Sequence, residues 1–289
     1  MAEKLLEPVA YSRLGQVGAR TPLVIAVPHA GRHYPRAMLA AARLPRTALE
    51  TIEDRHADLL IADAVRRGAV AIVARLARGF VDLNRDEREI DPAILSPTPP
   101  PGTLLQSAKV SGGLGVIPSR IAAGGAVWKH PLTPEAVAAR LALAHGPYHA
   151  AIAEALDEAA AVHGVAILID CHSMPSILGS TPSPQIVIGD RHGRSAGARF
   201  SDVAAKAARL AGLRVALNSP YAGGHTLDRH GRPKAGRHAI QIEIDRALYL
   251  DAAQLEPGAG LATAQRMLAS IATALIDAAE SDVAAIAAE

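Results

Sequence analysis

Short apolar runs alternate with longer amphipathic stretches along most of this chain. Leu23-Val24-Ile25-Ala26-Val27-Pro28, Ala69 to Leu76, Val165 to Cys171, Gln185 to Gly189, Leu213 to Leu217 and His238 to Ile244 each read as strands. Runs rich in Val and Ile without polar alternation suit a largely parallel sheet, because helices cover both of its faces. Between the runs, 47–67 carries Leu49, Ile52, Leu59, Leu60, Ala64 and Val65 near helical spacing and stops at Gly68. Thr133-Pro134 opens another helix, with Thr as N-cap and Pro at the first helical position, and a break is expected near Gly146-Pro147 before it ends at His163-Gly164. Further helices are predicted over 196–211 and 259–288, and a short extended piece over 79–83. The alternation predicts an α/β fold, a mixed, largely parallel sheet sandwiched between helices, in one domain spanning 1–289.

One region breaks the pattern. Residues 90–126 hold Pro92, Pro97, Pro99-Pro100-Pro101 and six glycines, and read as a long irregular insertion. Such an excursion in a compact domain is more often functional than inert. It and the 221–236 loop are the candidate walls of a substrate pocket.

Composition narrows the class. The chain of 289 residues is 49% hydrophobic and 20% charged, as soluble enzymes are. A net charge of +2 and only 3% aromatic residues argue against a nucleic-acid partner. No run is long and apolar enough to span a membrane, and MAEKLLEP at the start lacks a signal pattern, so a cytoplasmic location is expected. A single cysteine excludes an intrachain disulfide and a multi-cysteine zinc site.

The chemistry gathers at strand ends, where open α/β sheets bind ligands. His29 follows the first apolar run and His172 follows Asp170-Cys171; Asp82, Asp190, Asn218, Glu243 and Asp245 lie at or near other ends. Two imidazoles delivered by distant strands suggest a metal site. A catalytic zinc takes three protein ligands of His and carboxylate type. The third is sought in Glu53-Asp54-Arg55-His56-Ala57-Asp58, where Asp58 is favoured and Glu53 and His56 remain alternatives. Cys171 points to the face opposite its strand neighbours and is not read as a ligand. His145, His149 and His163 fall on the predicted helix and are expected to face solvent.

Asn84-Arg85 offers a forked donor for a carboxylate, with Arg78 as a further candidate. Glu243 is an acid between Ile242 and Ile244, where a charge must be paired or functional. Beside a zinc-activated water it suits a general base that later serves as acid. Tyr221-Ala222-Gly223-Gly224-His225 reads as a flexible loop carrying a phenol and an imidazole toward substrate.

These stretches, in order, resemble the N-formylglutamate amidohydrolase family: VPHAGRHYP (27–35), EDRHADLLIADA (53–64), ARGFVDLNRD (77–86), LIDCHSMPS (168–176), IVIGDRHG (186–193), NSPYAGGH (218–225) and HAIQIEIDRALYL (238–250). The resemblance implies hydrolysis of N-formyl-L-glutamate to formate and L-glutamate, in histidine breakdown, on a zinc-exopeptidase-like fold. It also implies one Zn2+, with the family's order of parts mapping onto His29, Asp58, Asn84-Arg85, His172 and Glu243. Carboxypeptidase-like enzymes place the acidic ligand three residues after the first histidine, and here that position is Arg32. Within enzymes the alternative is a deacylase or carboxypeptidase with another acyl-amino-acid or peptide substrate. Outside them it is a binding protein on the same scaffold.

Overall fold

The computed structural model describes residues 9–286 except 17, 178, 180 and 181, so MAEKLLEP and the end of the predicted 259–288 helix lie outside the described residues. Nine strands are described: β1 (Tyr11–Leu14), β2 (Leu23–Val27), β3 (Val70–Ala74), β4 (Arg120–Ile121), β5 (Gly125–Ala126), β6 (Ala166–Met174), β7 (Ile186–Gly189), β8 (Val215–Leu217) and β9 (Arg237–Asp245). Seven form one sheet in the order β1-β3-β2-β6-β9-β7-β8. β2 runs parallel to β3 and β6, β6 to β9, and β7 to β8, whereas β7 is antiparallel to β9. The sheet is therefore mixed and largely parallel. Strands β2, β3, β6 and β7 are buried along their whole length, which is why they read as unbroken apolar runs.

The helices are α1 (Arg36–Ala41), α2 (Arg46–Leu49), α3 (Ala57–Leu60), α4 (Ala62–Arg66), α5 (Ala108–Ser111), α6 (Pro134–Arg140), α7 (Gly146–His163), α8 (Ala198–Leu210), α9 (His225–His230) and α10 (Leu261–Ile286). The chain divides into two compact units interleaved in sequence. The larger comprises Arg13–Pro28, Asp54–Val73 and His149–Glu289. In it α10 packs along α8, α4 and α3, α8 covers β7 and β8, and α9 lies on β9 and β6.

The smaller unit comprises Met1–Ser12, His29–Glu53 and Ala74–Tyr148. Its glue is partly cationic: the Arg140 guanidinium lies 4.9 Å over the Phe80 ring and 4.4 Å over Trp128. Burial pulls Arg140 down to about 10. The 90–126 insertion carries a 3-10 turn at Pro92–Ile94, α5 and the β4–β5 hairpin, and buries Ile94, Leu95, Val110, Val116, Ile117 and Ile121. It is irregular but packed.

Two expectations fail locally. The predicted 47–67 helix is broken into α2, a 3-10 turn at Glu50–Ile52, α3 and α4, with His56 in the left-handed region at φ 58°. Residues 79–83 are turns and irregular chain rather than a strand. The break near Gly146-Pro147 is present as a π-helical turn at Leu141–His145. Pro147 has no N–H for the carbonyl of Leu143, and a wider turn accommodates that loss.

Candidate metal centre

Register across β6 and β9 organises the centre. Asp170 pairs with Gln241 and His172 with Glu243, and residues two apart on a strand share a face. Asp170, His172, Gln241 and Glu243 therefore form a polar square on one face of the sheet. Gln241 Nε2 donates to Glu243 Oε1 at 2.8 Å. His172 Nε2 is 3.0 Å from Asp170 Oδ2, and its Nδ1 is 2.9 Å from Asp54 Oδ2. Burial opposes a charged imidazole here, but Asp170, Asp54 and Glu243 outweigh it and hold the His172 pKa well above 6.5.

Of the acids in the 53–58 segment, Asp54 meets His172, its Oδ2 lying 2.9 Å from His172 Nδ1. Both are buried. Asp58, the acid favoured from spacing, sits in the first turn of α3. The reason is local. The 53–56 segment leaves the helix and is pinned: Tyr249 donates its hydroxyl to the Arg55 carbonyl at 2.7 Å, and Arg55 Nε donates to the Leu255 carbonyl at 2.8 Å. Asp54 is thereby turned inward at 2% exposure. The two alternatives are engaged elsewhere. Glu53 accepts the Tyr34 hydroxyl at 2.5 Å, and His56 Nε2 lies 3.2 Å from the Leu255 carbonyl.

Arg246, not singled out from sequence, donates from Nη2 to Asp54 Oδ1 at 3.3 Å and from Nε to Ser173 Oγ at 3.2 Å. Its signal was adjacency: it follows Asp245 directly at the end of β9.

His29 follows β2 by two residues. Its Nε2 is 2.7 Å from Asp82 Oδ1, and Asp82 Oδ2 accepts from Arg78 Nε at 2.8 Å. The Asn84 amide donates to Asp82 Oδ1 at 2.9 Å, and Arg85 Nε lies 4.0 Å from Asp82 Oδ2. Burial would raise the Asp82 carboxyl, yet Arg78, His29 and Arg85 hold it well below the usual range. Asp82 is thus the hub on which His29, Arg78, Asn84 and Arg85 converge. Arg85 is also anchored to backbone, donating to the Leu114 carbonyl at 2.9 Å and its neighbour's carbonyl at 2.6 Å.

Imidazole and carboxylate are donor types that fit a divalent metal. Each imidazole sets one nitrogen against a carboxylate, Asp82 for His29 and Asp170 for His172. Metal-bound histidines are oriented by such outer partners. Cys171 lies on the opposite face, and burial followed by Asp54, Asp170 and Glu243 pushes its thiol pKa up, so it stays protonated.

The remaining candidates divide. The 221–224 segment is tied down rather than loose: its Ala222 carbonyl accepts from the Arg191 amide at 2.8 Å, and a Cβ on Gly189 would meet the Ala222 backbone at 2.5 Å. His225 opens α9 with its ring 5.3 Å from that of His149. His145 and His149, expected to face solvent, are buried at 0% and 1% exposure, whereas His163 is half-buried. Apolar helix faces carry few polar residues, and spacing alone put these histidines on the wrong side.

Comparison with known proteins gives a consistent picture. The family model for N-formylglutamate amidohydrolase matches residues 21–250. N-formylglutamate deformylase of Pseudomonas aeruginosa is 31% identical over 238 residues, 80% of this chain and 83% of that protein. The enzyme of the same name from Pseudomonas putida is 28% identical over 246 residues, with 80% and 83% covered. Among solved structures, N-formylglutamate amidohydrolase from Ralstonia eutropha matches with a TM-score of 0.85 at 32% identity, covering 95% of this chain and 98% of that one. A protein of Agrobacterium tumefaciens matches with a TM-score of 0.65 at 19% identity over 95% of this chain and 94% of its own, a likeness of fold.

Proposed function

The chain belongs to the N-formylglutamate amidohydrolase family, and from that membership we propose that it hydrolyses the amide bond of N-formyl-L-glutamate, yielding formate and L-glutamate. The observation that carries the reading is Glu243 paired in register with His172, whose Nδ1 meets the buried Asp54. In this reading His29, Asp54 and His172 hold one Zn2+. The ion supplies Lewis acidity toward the acyl carbonyl and toward water.

Glu243 takes a proton from the attacking water and passes it to the amine nitrogen as the C–N bond breaks. Gln241, donating to Oε1, fixes the carboxylate's orientation. Arg85 and Asn84, with Arg78 behind Asp82, hold a substrate carboxylate, and Tyr221 is a further contact. Arg-carboxylate forks give geometric selection as well as affinity. Asp82 and Asp170 keep the two imidazoles in their ligating orientation. We further assign the sheet to the zinc-exopeptidase-like hydrolases, and the enzyme to the cytoplasm and to histidine breakdown. The described residues include no helix long and apolar enough to cross a membrane.

Steady-state rates on N-formyl-, N-acetyl- and N-succinyl-glutamate with the metal-loaded enzyme test the substrate. A kcat/KM highest for the formyl compound is expected. A preference for acetyl or succinyl would replace the reading with that of another deacylase, and no turnover of any would favour a binding protein.

A further inference from the structure

The smaller unit holds a cavity of its own, and none of the residues assigned to the candidate hydrolytic centre lines it. The 90–126 insertion and the chain just after it, as far as Pro131, enclose about 510 Å³. Cavities of about 300–1,000 Å³ are those that take small organic ligands. Ile94, Val110 and Trp128 line it and are buried, so part of the wall is apolar and aromatic.

The charged groups of the wall are one-sided. Arg120, Lys129 and His130 line the cavity, and Asp91 is the only acid among the described residues that do. Asp91 is turned to its own neighbourhood: Oδ1 accepts the Ala93 amide at 3.0 Å and Oδ2 the Ser119 hydroxyl at 2.7 Å. Arg120 Nη2 donates to the Ser111 carbonyl at 2.6 Å, and Lys129 Nζ to the Ala40 carbonyl at 2.9 Å. Behind the wall, the Arg140 guanidinium lies 4.4 Å over the Trp128 ring and donates to the Phe80 carbonyl at 3.3 Å. Carbonyls position these cations without neutralising them. Among the described residues, none of Arg120, Lys129, His130 and Arg140 forms an ion pair. Ser111 also lines the cavity, so the Arg120 guanidinium is tethered along the wall with most of its N–H donors left for a ligand.

We propose that this cavity is a binding site for a small organic anion, a carboxylate carried on an apolar body. The carboxylate meets Arg120, whose planar fork gives orientation as well as affinity. Lys129 and His130 add donors beside it. The apolar body lies against Ile94, Val110 and Trp128, where it leaves water. A neutral molecule of the same shape leaves the cations unmatched, and a bare anion leaves the apolar wall uncovered.

Trp128 is the single tryptophan of the chain, so its emission reports on this cavity. The full chain is titrated at low ionic strength with 3-phenylpropionate, with 3-phenylpropanamide as the neutral counterpart and acetate as the anion without a body. The propionate should change the emission saturably, with a Kd below about 10 mM. Both controls should bind about 10-fold more weakly or worse, and Arg120→Gln should weaken the propionate by about 10-fold or more. No saturable change with the propionate overturns the proposal. So does an amide or acetate that binds within those margins, or an Arg120→Gln effect below them. If Arg120→Gln fails to fold, the comparison of acid with amide on the wild type decides the matter alone. Neither result bears on the hydrolytic reading, which is tested on other residues.

Discussion

The middle of β6 and the end of β7 each carry a buried aspartate, and they use it in opposite ways. Asp190, after β7, accepts from the Gly193 amide at 2.9 Å, Asn218 Nδ2 at 2.8 Å and Ser201 Oγ at 2.7 Å. All its donors are neutral, and the carboxylate closes a turn. Asp170, in β6, faces His172, which also faces Asp54 and stands in register with Glu243. Three carboxylates surround one imidazole and raise its pKa, and Arg246 also pairs with Asp54. A buried acid is thus structural when neutral donors satisfy it, and calls for paired or bound positive charge when its neighbours are other acids.

The sharpest test of that contrast is chemical. Glu243→Gln should lower kcat by about 100- to 10,000-fold while the metal content stays at the wild-type level. Loss of metal together with rate would make Glu243 a ligand and not a base. Next come the two acids that spacing left in competition. Asp54→Ala should abolish retention of the ion at the His29–His172 centre, whereas Asp58→Ala should leave it in place; the reverse result would restore Asp58.

The paired aspartates give a smaller and more direct comparison. Asp170→Asn should weaken metal affinity by about 10- to 100-fold through the orientation of His172. Asp190→Ala should leave affinity unchanged and lower unfolding stability by about 1–3 kcal/mol, because the buried Ser201 and the half-buried Asn218 lose their acceptor. Equal effects on metal binding would erase the distinction.

The smallest effect lies in the pH dependence of stability of the chelated protein. Burial raises the Asp190 carboxyl, but hydrogen bonds from Ser201, Gly193 and Asn218 bring it below its ordinary value. A depressed folded pKa stabilises above the unfolded value of about 3.9 and is lost as pH falls below it, so Asp190→Asn should flatten the acid limb. His172 has the opposite sign, since its folded pKa is raised. Its contribution is full below the unfolded value of about 6.5 and disappears as pH rises through the folded one, so His172→Gln should flatten the alkaline limb. Denaturant melts across pH check both limbs.

Much of the architecture was legible from pattern. The interior strands announced themselves because burial on both faces forbids polar alternation, and β2, β3, β6, β7 and β9 each overlap an apolar run in the sequence. The 26-residue α10 followed its Ala-rich amphipathic stretch equally well. β1 escaped because YSRL is short and mostly half-buried, so it carries little apolar signal. The π-turn in the 133–163 helix was visible only as a Gly-Pro irregularity.

For the site, sequence by itself determined which apolar runs carry imidazole and carboxylate, since a polar residue stands out in a run buried on both faces. His29, His172 and Glu243 were singled out as candidates for that reason, and the order of motifs identified the family. What tertiary structure decided is which acid meets His172 and where the helix histidines point. Asp54 and Asp58 look alike on an ideal helix. Only the Tyr249 and Arg55 contacts from a segment about 200 residues away break that helix and turn Asp54 inward. The same holds for His149 and His225, whose ring contact depends on how α7 and α9 are oriented. No local spacing encodes that choice, because it is made by the packing of distant segments.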